Sequence, residues 1–170
     1  MNDSLKIKLG ITAGIINCIA WYFISKSLTY YEVATIDKYR AIITMALLVL
    51  GIVLVILFQR KGNRGFLEFK QAFKSGVLYT LFLALILAIF SYLYYKYIAP
   101  DAIAFYLSEA KKQVTETIKP EDVLNFEKNV KDFFSPFKMF MSTIIFGIII
   151  SLLVAAIFQK KNPTMPFSEN

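Results

Sequence analysis

Residues 75–95, SGVLYTLFLALILAIFSYLYY, form an uninterrupted run without Asp, Glu, Lys or Arg. A helix needs roughly 20 apolar residues to cross the hydrocarbon core of a bilayer, and lipid offers the backbone no outside hydrogen-bond partners. The run therefore predicts a transmembrane α-helix. Three further uncharged runs have similar lengths, so we expect four spans, at about 9–25, 41–58, 75–95 and 139–158.

The composition of the whole chain agrees with membrane insertion. Hydrophobic residues make up 57% of the 170 positions, and 16 Phe and 10 Tyr are present. A soluble domain of this length has too small a core to hide so much apolar surface. We predict an all-α fold, in which residues 1–170 form a single transmembrane domain built as a four-span helix bundle.

Side chains suited to catalysis or metal binding are scarce. The chain has no His, and its single Cys, Cys18, lies inside an apolar run. Histidine is the common zinc ligand and the usual base at neutral pH, and the carboxylates lie at span ends or in the segment after span three, where they suit helix caps and solvated faces. We expect no enzyme activity, no catalytic or metal site and no cofactor. Charged residues are also missing from the predicted spans, which disfavours ion-coupled transport.

The basic residues indicate how the spans are oriented. The segment between spans two and three contains five basic residues and one acidic residue, Glu68. Further lysines precede span one and follow span four. Cytoplasmic loops carry such an excess, so we predict a cytoplasmic location for both termini. We expect these residues to contact anionic lipid headgroups rather than nucleic acid; the candidates are Arg60, Lys61, Arg64, Lys70, Lys74, Lys160 and Lys161. Nine of the ten tyrosines, all but Tyr79, fall at the opposite interface.

Two segments outside the predicted spans have helical periodicity. Phe66, Phe69 and Phe73 recur at helical spacing among polar residues, which favours a short helix lying in the interface over an early start of span three. The segment 101–135 carries two apolar stripes separated by Pro120. We expect an external helical hairpin there, between spans three and four.

Small residues recur four apart in three of the spans. They allow helices to approach closely, and we favour packing within the bundle over a dimer interface. Asn17 is the most costly polar residue inside a predicted span, and it should bond a neighbouring helix. The candidate packing residues are Gly10, Gly14, Asn17, Ala84, Ala88, Gly147 and Ser151.

Several short motifs together resemble a known family. They are GFLEFKQAFKSG at 65–76, YLYYKY at 92–97, IAPD at 98–101, Ser135-Pro136, and QKK at 159–161. The chain resembles the bacterial four-helix membrane family called domain of unknown function 4199, found chiefly in Bacteroidota. The resemblance implies a four-span protein of the bacterial inner (cytoplasmic) membrane, and it implies no activity.

Three functional hypotheses from different classes remain. The first is a non-enzymatic accessory or interaction subunit, whose external hairpin or basic inner face meets a membrane-protein partner or a second copy of the chain. The second is a small oligomeric transporter or channel with an uncharged lining, which would require Thr12, Asn17, Thr80, Ser91 and Ser142 to converge on one axis. A lipid-modifying enzyme is a third option, and it would require external carboxylates to meet in a pocket.

Overall fold

Four long helices account for most of the residues that the structure describes. The computed structural model describes 3–27, 33–105, 107–108, 128, 132 and 134–160. The helices are α1 (Asp3–Ser27), α2 (Val33–Gly62), α3 (Phe69–Leu93) and α4 (Pro136–Phe158). Each is long and apolar enough to cross a membrane. Each predicted span falls within one of them, α3 together with its continuation, and the predicted all-α four-span architecture is confirmed.

Three of these helices, α1, α2 and α3, begin well before the predicted spans. In α2, the stretch that is long and apolar enough to cross a membrane is Tyr39–Gly62, which includes Arg40. The prediction started this span after Arg40. Lys6 likewise lies within α1 and is buried. The predicted spans themselves contain no charged residue, and Lys6 and Arg40 lie in the parts of the helices that precede them. Long basic side chains bury their stems and keep the charged group near the interface, so a charge does not have to end a span.

Helices α2 and α3 form the centre of the bundle, since each packs against all three other helices. The buried face of α3 carries residues at intervals of three or four along its whole length: Ala72, Ser75, Gly76, Tyr79, Thr80, Leu83, Ala84, Leu87 and Ser91. Leu48, Ile52 and Ile56 of α2 pack into the same core. Large apolar side chains on the other faces, such as Leu50, Leu153 and Ile157, are exposed, as expected for contact with lipid.

The predicted interfacial helix before span three is not present as a separate element. Helix α2 ends in a turn with positive φ at Arg64 and Gly65, and α3 begins at Phe69 and continues without a break. Between them, Leu67 is buried and pairs with Lys160: each backbone N–H donates to the other residue's carbonyl, at 2.9 and 2.8 Å. The alternative, an early start of span three, is what the structure has. Because Ala72, Ser75 and Gly76 are buried, this part of α3 follows the bundle rather than the membrane surface.

At its other end α3 widens into a π-helical turn, Tyr94–Ile98, closed by a hydrogen bond from the Ala99 N–H to the Tyr94 carbonyl at 2.8 Å. Residues 102–105 are again helical. Most of the predicted external hairpin, 101–135, lies outside the described residues.

Candidate functional site

The small residues of α1 lie against α3. A Cβ atom added to Gly10 would lie 2.6 Å from the Tyr79 carbonyl oxygen, and one added to Gly14 would lie 2.7 Å from the Ile86 Cβ. Both glycines therefore allow a close helix contact inside this chain. On α3, Ala84 is fully buried, whereas Ala88 is half-buried.

Helices α3 and α4 approach each other through a second set of small residues. A Cβ atom on Gly76 would lie 2.8 Å from the Ser151 Cβ, and one on Gly147 would lie 2.8 Å from the Thr80 Cβ. The Ser151 hydroxyl is buried without a hydrogen-bond partner among the described residues. Gly76 was not among the predicted packing residues, although Thr80 stands four positions later and belongs to the same class of small residues.

The predicted polar residues of the spans do not all converge. Asn17 Nδ2 donates to Thr44 Oγ1 at 2.9 Å and so joins α1 to α2. Thr80 donates to the Gly76 carbonyl of its own helix at 2.9 Å, and Thr12 is exposed. Ser91 and Ser142 both line one cavity. Among the described residues, these five side chains therefore do not form one shared polar axis.

Tyr79 fills the middle of the bundle. Its hydroxyl donates to the Leu47 carbonyl at 2.8 Å, and a Cβ on Gly51 would lie 2.8 Å from the ring atom Cε1. Gly51 thus provides the space that the ring occupies. One indication of this position was available in the sequence: Tyr79 is the one tyrosine that does not fall at the interface predicted for the other nine.

The end of the bundle at which α1 begins and α4 ends holds a buried polar cluster that the sequence did not predict. The Ser75 hydroxyl lies within hydrogen-bonding distance of Gln59 Oε1 and of the Gln71 carbonyl, at 2.7 Å. Gln59 and Lys6 are both buried, and Lys6 Nζ donates to Asp3 Oδ1 at 2.8 Å. The contact between Ser75 and Gln59 joins α2 to α3, whereas the Lys6–Asp3 pair lies within the first two turns of α1.

The basic residues proposed to contact headgroups lie around this same end. Arg60 Nε donates to the Gly65 carbonyl at 3.1 Å, and Lys160 Nζ lies 5.9 Å from the centroid of the Phe66 ring. Lys61, Arg64, Lys70 and Lys74 are exposed. Lys161 lies outside the described residues. Arg60, Lys61, Arg64, Lys70, Lys74 and Lys160 are together called the basic inner face, after the side of the membrane on which the sequence predicts them to lie.

The other end of the bundle, at which α1 ends and α4 begins, is built around Trp21. Its ring is buried and packs against Phe90 and Tyr94, with centroids 5.2 and 5.0 Å away. The Arg40 Cζ atom lies 4.7 Å from the Trp21 centroid, a cation–π contact, and Arg40 Nη1 donates to the Tyr95 hydroxyl at 3.1 Å. The π-helical turn carries Tyr94 and Tyr95, and such turns often occur at functional sites.

A cavity of about 130 Å³ lies beside Arg40. It is called the outer cavity, after the side of the membrane predicted for this end of the bundle. Helices α2, α3 and α4 all contribute to its lining, which consists of Arg40, Ser91, Tyr95, Phe134, Lys138, Met139 and Ser142. The sequence did not reveal it, because Arg40 and Lys138 both flank apolar runs and were interpreted as span boundaries. Within the described residues, no group of three or more His, Cys, Asp or Glu could hold a metal ion.

Comparison with known proteins places the chain in a family. No curated protein and no solved structure matches it. The family model described as "Protein of unknown function (DUF4199)" matches residues 8–160, which is most of the chain, and the resemblance seen in the motifs is thereby confirmed. With its four apolar helices, this multi-pass membrane protein belongs to the DUF4199 family.

Proposed function

We propose that the protein is a non-enzymatic accessory or interaction subunit of the bacterial inner membrane, with the N-terminal end of α1 and the C-terminal end of α4 on the cytoplasmic side. In this role it acts through its surfaces, by holding a membrane-protein partner or a second copy of itself. Catalysis and solute passage through its centre are not part of the role.

The filled centre of the bundle is the observation that supports this proposal. Leu48, Ile52, Tyr79, Leu83 and Leu87 are nearly or completely inaccessible. The hydroxyl of Tyr79, the largest of them, is bonded to the Leu47 carbonyl. Solute movement needs a polar, water-accessible route, and irregular or polar groups at membrane depth normally line such a route. A packed apolar centre favours a structural role.

The basic inner face supports a cytoplasmic orientation for this end of the bundle and a contact with anionic lipid. Lys61, Arg64, Lys70 and Lys74 are exposed, and Glu68 is the only acidic residue between α2 and the end of the first turn of α3. A basic residue near an anionic membrane surface contributes about 1 kcal/mol of attraction. The same charges favour the cytoplasmic side, and a partner with an acidic loop would meet them there.

A transporter or channel is the second candidate. Ser91 and Ser142 share the outer cavity with Arg40, and a cavity open to one side is one part of a transport pathway. However, Leu87 lies one turn inward from Ser91 and is fully buried. Transport would therefore need either a large rearrangement of the bundle or a pathway between several copies.

Two measurements separate these candidates. Purified protein is reconstituted into liposomes, and the fluxes of protons, K⁺ and small neutral solutes are compared with those of empty liposomes, with gramicidin as the positive control. We expect no added flux. In parallel, a photo-crosslinking residue is placed at Lys70 of the basic inner face and, as a matched control, at the lipid-facing Leu153. We expect an adduct of defined mass with one other membrane protein from position 70 alone.

A saturable flux that requires the reconstituted protein would contradict the accessory role and favour the transporter. Adducts containing only this chain would replace the partner by a homo-oligomer.

A further inference from the structure

Arg60 and Lys160 lie at the same level of the bundle, just beyond the apolar parts of α2 and α4. The uncharged runs 41–58 and 139–158 end two residues before these two cations. Helices over these runs are about 27 and 30 Å long, close to the roughly 30 Å thickness of a hydrocarbon core. Both cations therefore lie where the hydrocarbon core of a membrane meets the lipid headgroups.

A backbone pair brings the two cations to the same short segment of the chain. Leu67 and Lys160 exchange hydrogen bonds of 2.9 and 2.8 Å, which fixes the backbone of Lys160 beside the start of α3. Arg60 Nε donates to the Gly65 carbonyl at 3.1 Å, and Lys160 Nζ lies 5.9 Å from the centroid of the Phe66 ring. The end of α2 and the end of α4 thus each place a cation against the connection between α2 and α3.

Within the described residues, no carboxylate neutralises these two cations. The salt bridges that these residues form with one another all involve Asp3 of α1. Glu68 is the acidic residue nearest in sequence, and it forms no salt bridge with Arg60 or Lys160. The bond to the Gly65 carbonyl uses only Nε of Arg60, so the Nη1 and Nη2 groups of its guanidinium can still donate to an anion.

Exposed apolar side chains lie about one helical turn further into the membrane. Leu57 and Phe58 precede Arg60, Ile157 precedes Lys160, and these three side chains are 38%, 49% and 74% exposed. A ligand that meets cations at headgroup level and apolar side chains directly beneath them has an anionic head and a hydrocarbon tail. An acidic segment of a protein would suit the cations alone, so this surface favours a lipid.

We propose that Arg60 and Lys160 together bind the headgroup of one anionic phospholipid, whose acyl chains lie against Phe58 and Ile157. The guanidinium fork matches the oxygens of a phosphate group, and the ammonium adds a charge-assisted hydrogen bond. Cations that the fold holds in place lose less entropy on binding than mobile ones. The inference deepens the lipid contact of the proposed function and rests on it: one defined site replaces a diffuse attraction.

Lipid binding by the intact protein tests this site. The protein in a non-ionic detergent is titrated with palmitoyl-oleoyl phosphatidylglycerol, and bound lipids are counted by native mass spectrometry. Palmitoyl-oleoyl phosphatidylcholine, which has the same chains and no net charge, is the control for the headgroup. Glycerol 1-phosphate, which has the anionic group and no chains, is the control for the lipid tail.

We expect saturable binding of phosphatidylglycerol, and weaker binding of both control compounds. Lys160→Gln keeps the backbone pair with Leu67 and should weaken this binding about fivefold, the factor that corresponds to one basic residue at an anionic membrane surface. Arg60→Gln should weaken it at least as much. Lys8→Gln is the matched control, because Lys8 is exposed at the same end of the bundle and directly precedes the uncharged run of α1. It should bind like the unchanged protein.

The variants also distinguish a defined site from diffuse attraction. Equal losses in Lys160→Gln and Lys8→Gln would assign the binding to diffuse charge and overturn the proposal. Unchanged affinity in Lys160→Gln, or equal binding of phosphatidylglycerol and phosphatidylcholine, would overturn it too, and equally tight binding of glycerol 1-phosphate would assign a soluble ligand instead. If Arg60→Gln does not fold, the exposed Lys160 decides the question. Flux and crosslinking results do not bear on this titration, so the two proposals can fail separately.

Discussion

At the scale of single residues, the sequence identified those that depart from an apolar background. Gly10, Gly14 and Asn17 stand out in a hydrophobic run, and the structure places all three at contacts with other helices. Arg40 did not stand out as part of a site, because a basic residue just before an apolar run commonly marks the end of a membrane span. Its significance depends on Trp21 and Lys138, which come from other helices.

Gly14→Leu should destabilise the bundle by about 1–3 kcal/mol, the usual cost of overpacking. The added side chain would meet Ile86, which already lies 2.7 Å from the position of a Cβ at residue 14. The matched control is Leu50→Ala, at a position that is 60% exposed and faces lipid; its effect should stay within about 0.5 kcal/mol. Unfolding in mixed detergent micelles measures both. Equal stabilities would show that α1 does not pack closely through Gly14.

Tyr79→Phe tests the polar contact at the centre of the bundle. The variant keeps the ring beside Gly51 and loses the hydrogen bond to the Leu47 carbonyl. Hydrogen bonds between helices in membrane proteins contribute about 0.6 kcal/mol on average and up to about 1.7 kcal/mol, so we expect a loss in this range. Tyr97→Phe, at an exposed position, should have no measurable effect in the same assay. A similar loss in both variants would mean that the Leu47 contact is not specific.

At the scale of elements, the existence of each helix was predictable and its limits were not. Length and hydropathy suffice to indicate a span, but the first turns of α2 and α3 lie in stretches that also contain charges. For the first turns of α3, the burial of side chains in the bundle determined the direction of the helix. Leu67 enters the core, and Ala72 and Ser75 follow it, so the phenylalanine stripe did not produce a helix lying flat on the membrane. Sequence periodicity alone does not reveal which face another helix will cover.

Lys160→Pro should loosen the start of α3 while leaving α4 inserted. Proline has no backbone N–H, so the bond from Lys160 to the Leu67 carbonyl, 2.8 Å long, is lost. We expect faster hydrogen exchange at residues 66–72, measured by mass spectrometry. Lys160→Ala keeps the backbone bond and removes only the charge, and it should exchange like the unchanged protein. Faster exchange in both variants would assign the effect to the side chain.

At the scale of the whole molecule, the number of spans followed from the sequence, whereas the arrangement of the helices did not. Lipid and a bundle core are equally apolar, so hydropathy does not distinguish the face of a helix that meets lipid from the face that meets another helix. The small and polar residues carry that information instead. Gly76 and Thr80 of α3 mark its contact with Ser151 and Gly147 of α4. Both pairs are spaced four apart in the sequence, but the spacing does not reveal that the two pairs meet.

The orientation of the bundle can be tested with impermeant thiol reagents on intact cells. In a Cys18→Ala background, Lys61→Cys should resist labelling and Lys96→Cys should react, because the dense positive charge near position 61 favours the cytoplasm. Both side chains are exposed, so access to the reagent depends on the side of the membrane. Permeabilised cells provide the control, in which both positions should react. Labelling of position 61 alone in intact cells would reverse the topology.

The contact between α3 and α4 also determines the order in which the helices can pack together during synthesis. Ser75, Gly76 and Thr80 lie on the face of α3 that is buried in the finished bundle. The helix that supplies Ser151 and Gly147 begins only at Pro136 and leaves the ribosome much later. Until then α4 does not cover this face of α3, and the backbone of Leu67 cannot form its hydrogen bonds with Lys160. The nascent protein therefore passes through a three-helix stage, in which the insertion machinery or lipid must occupy the place of α4.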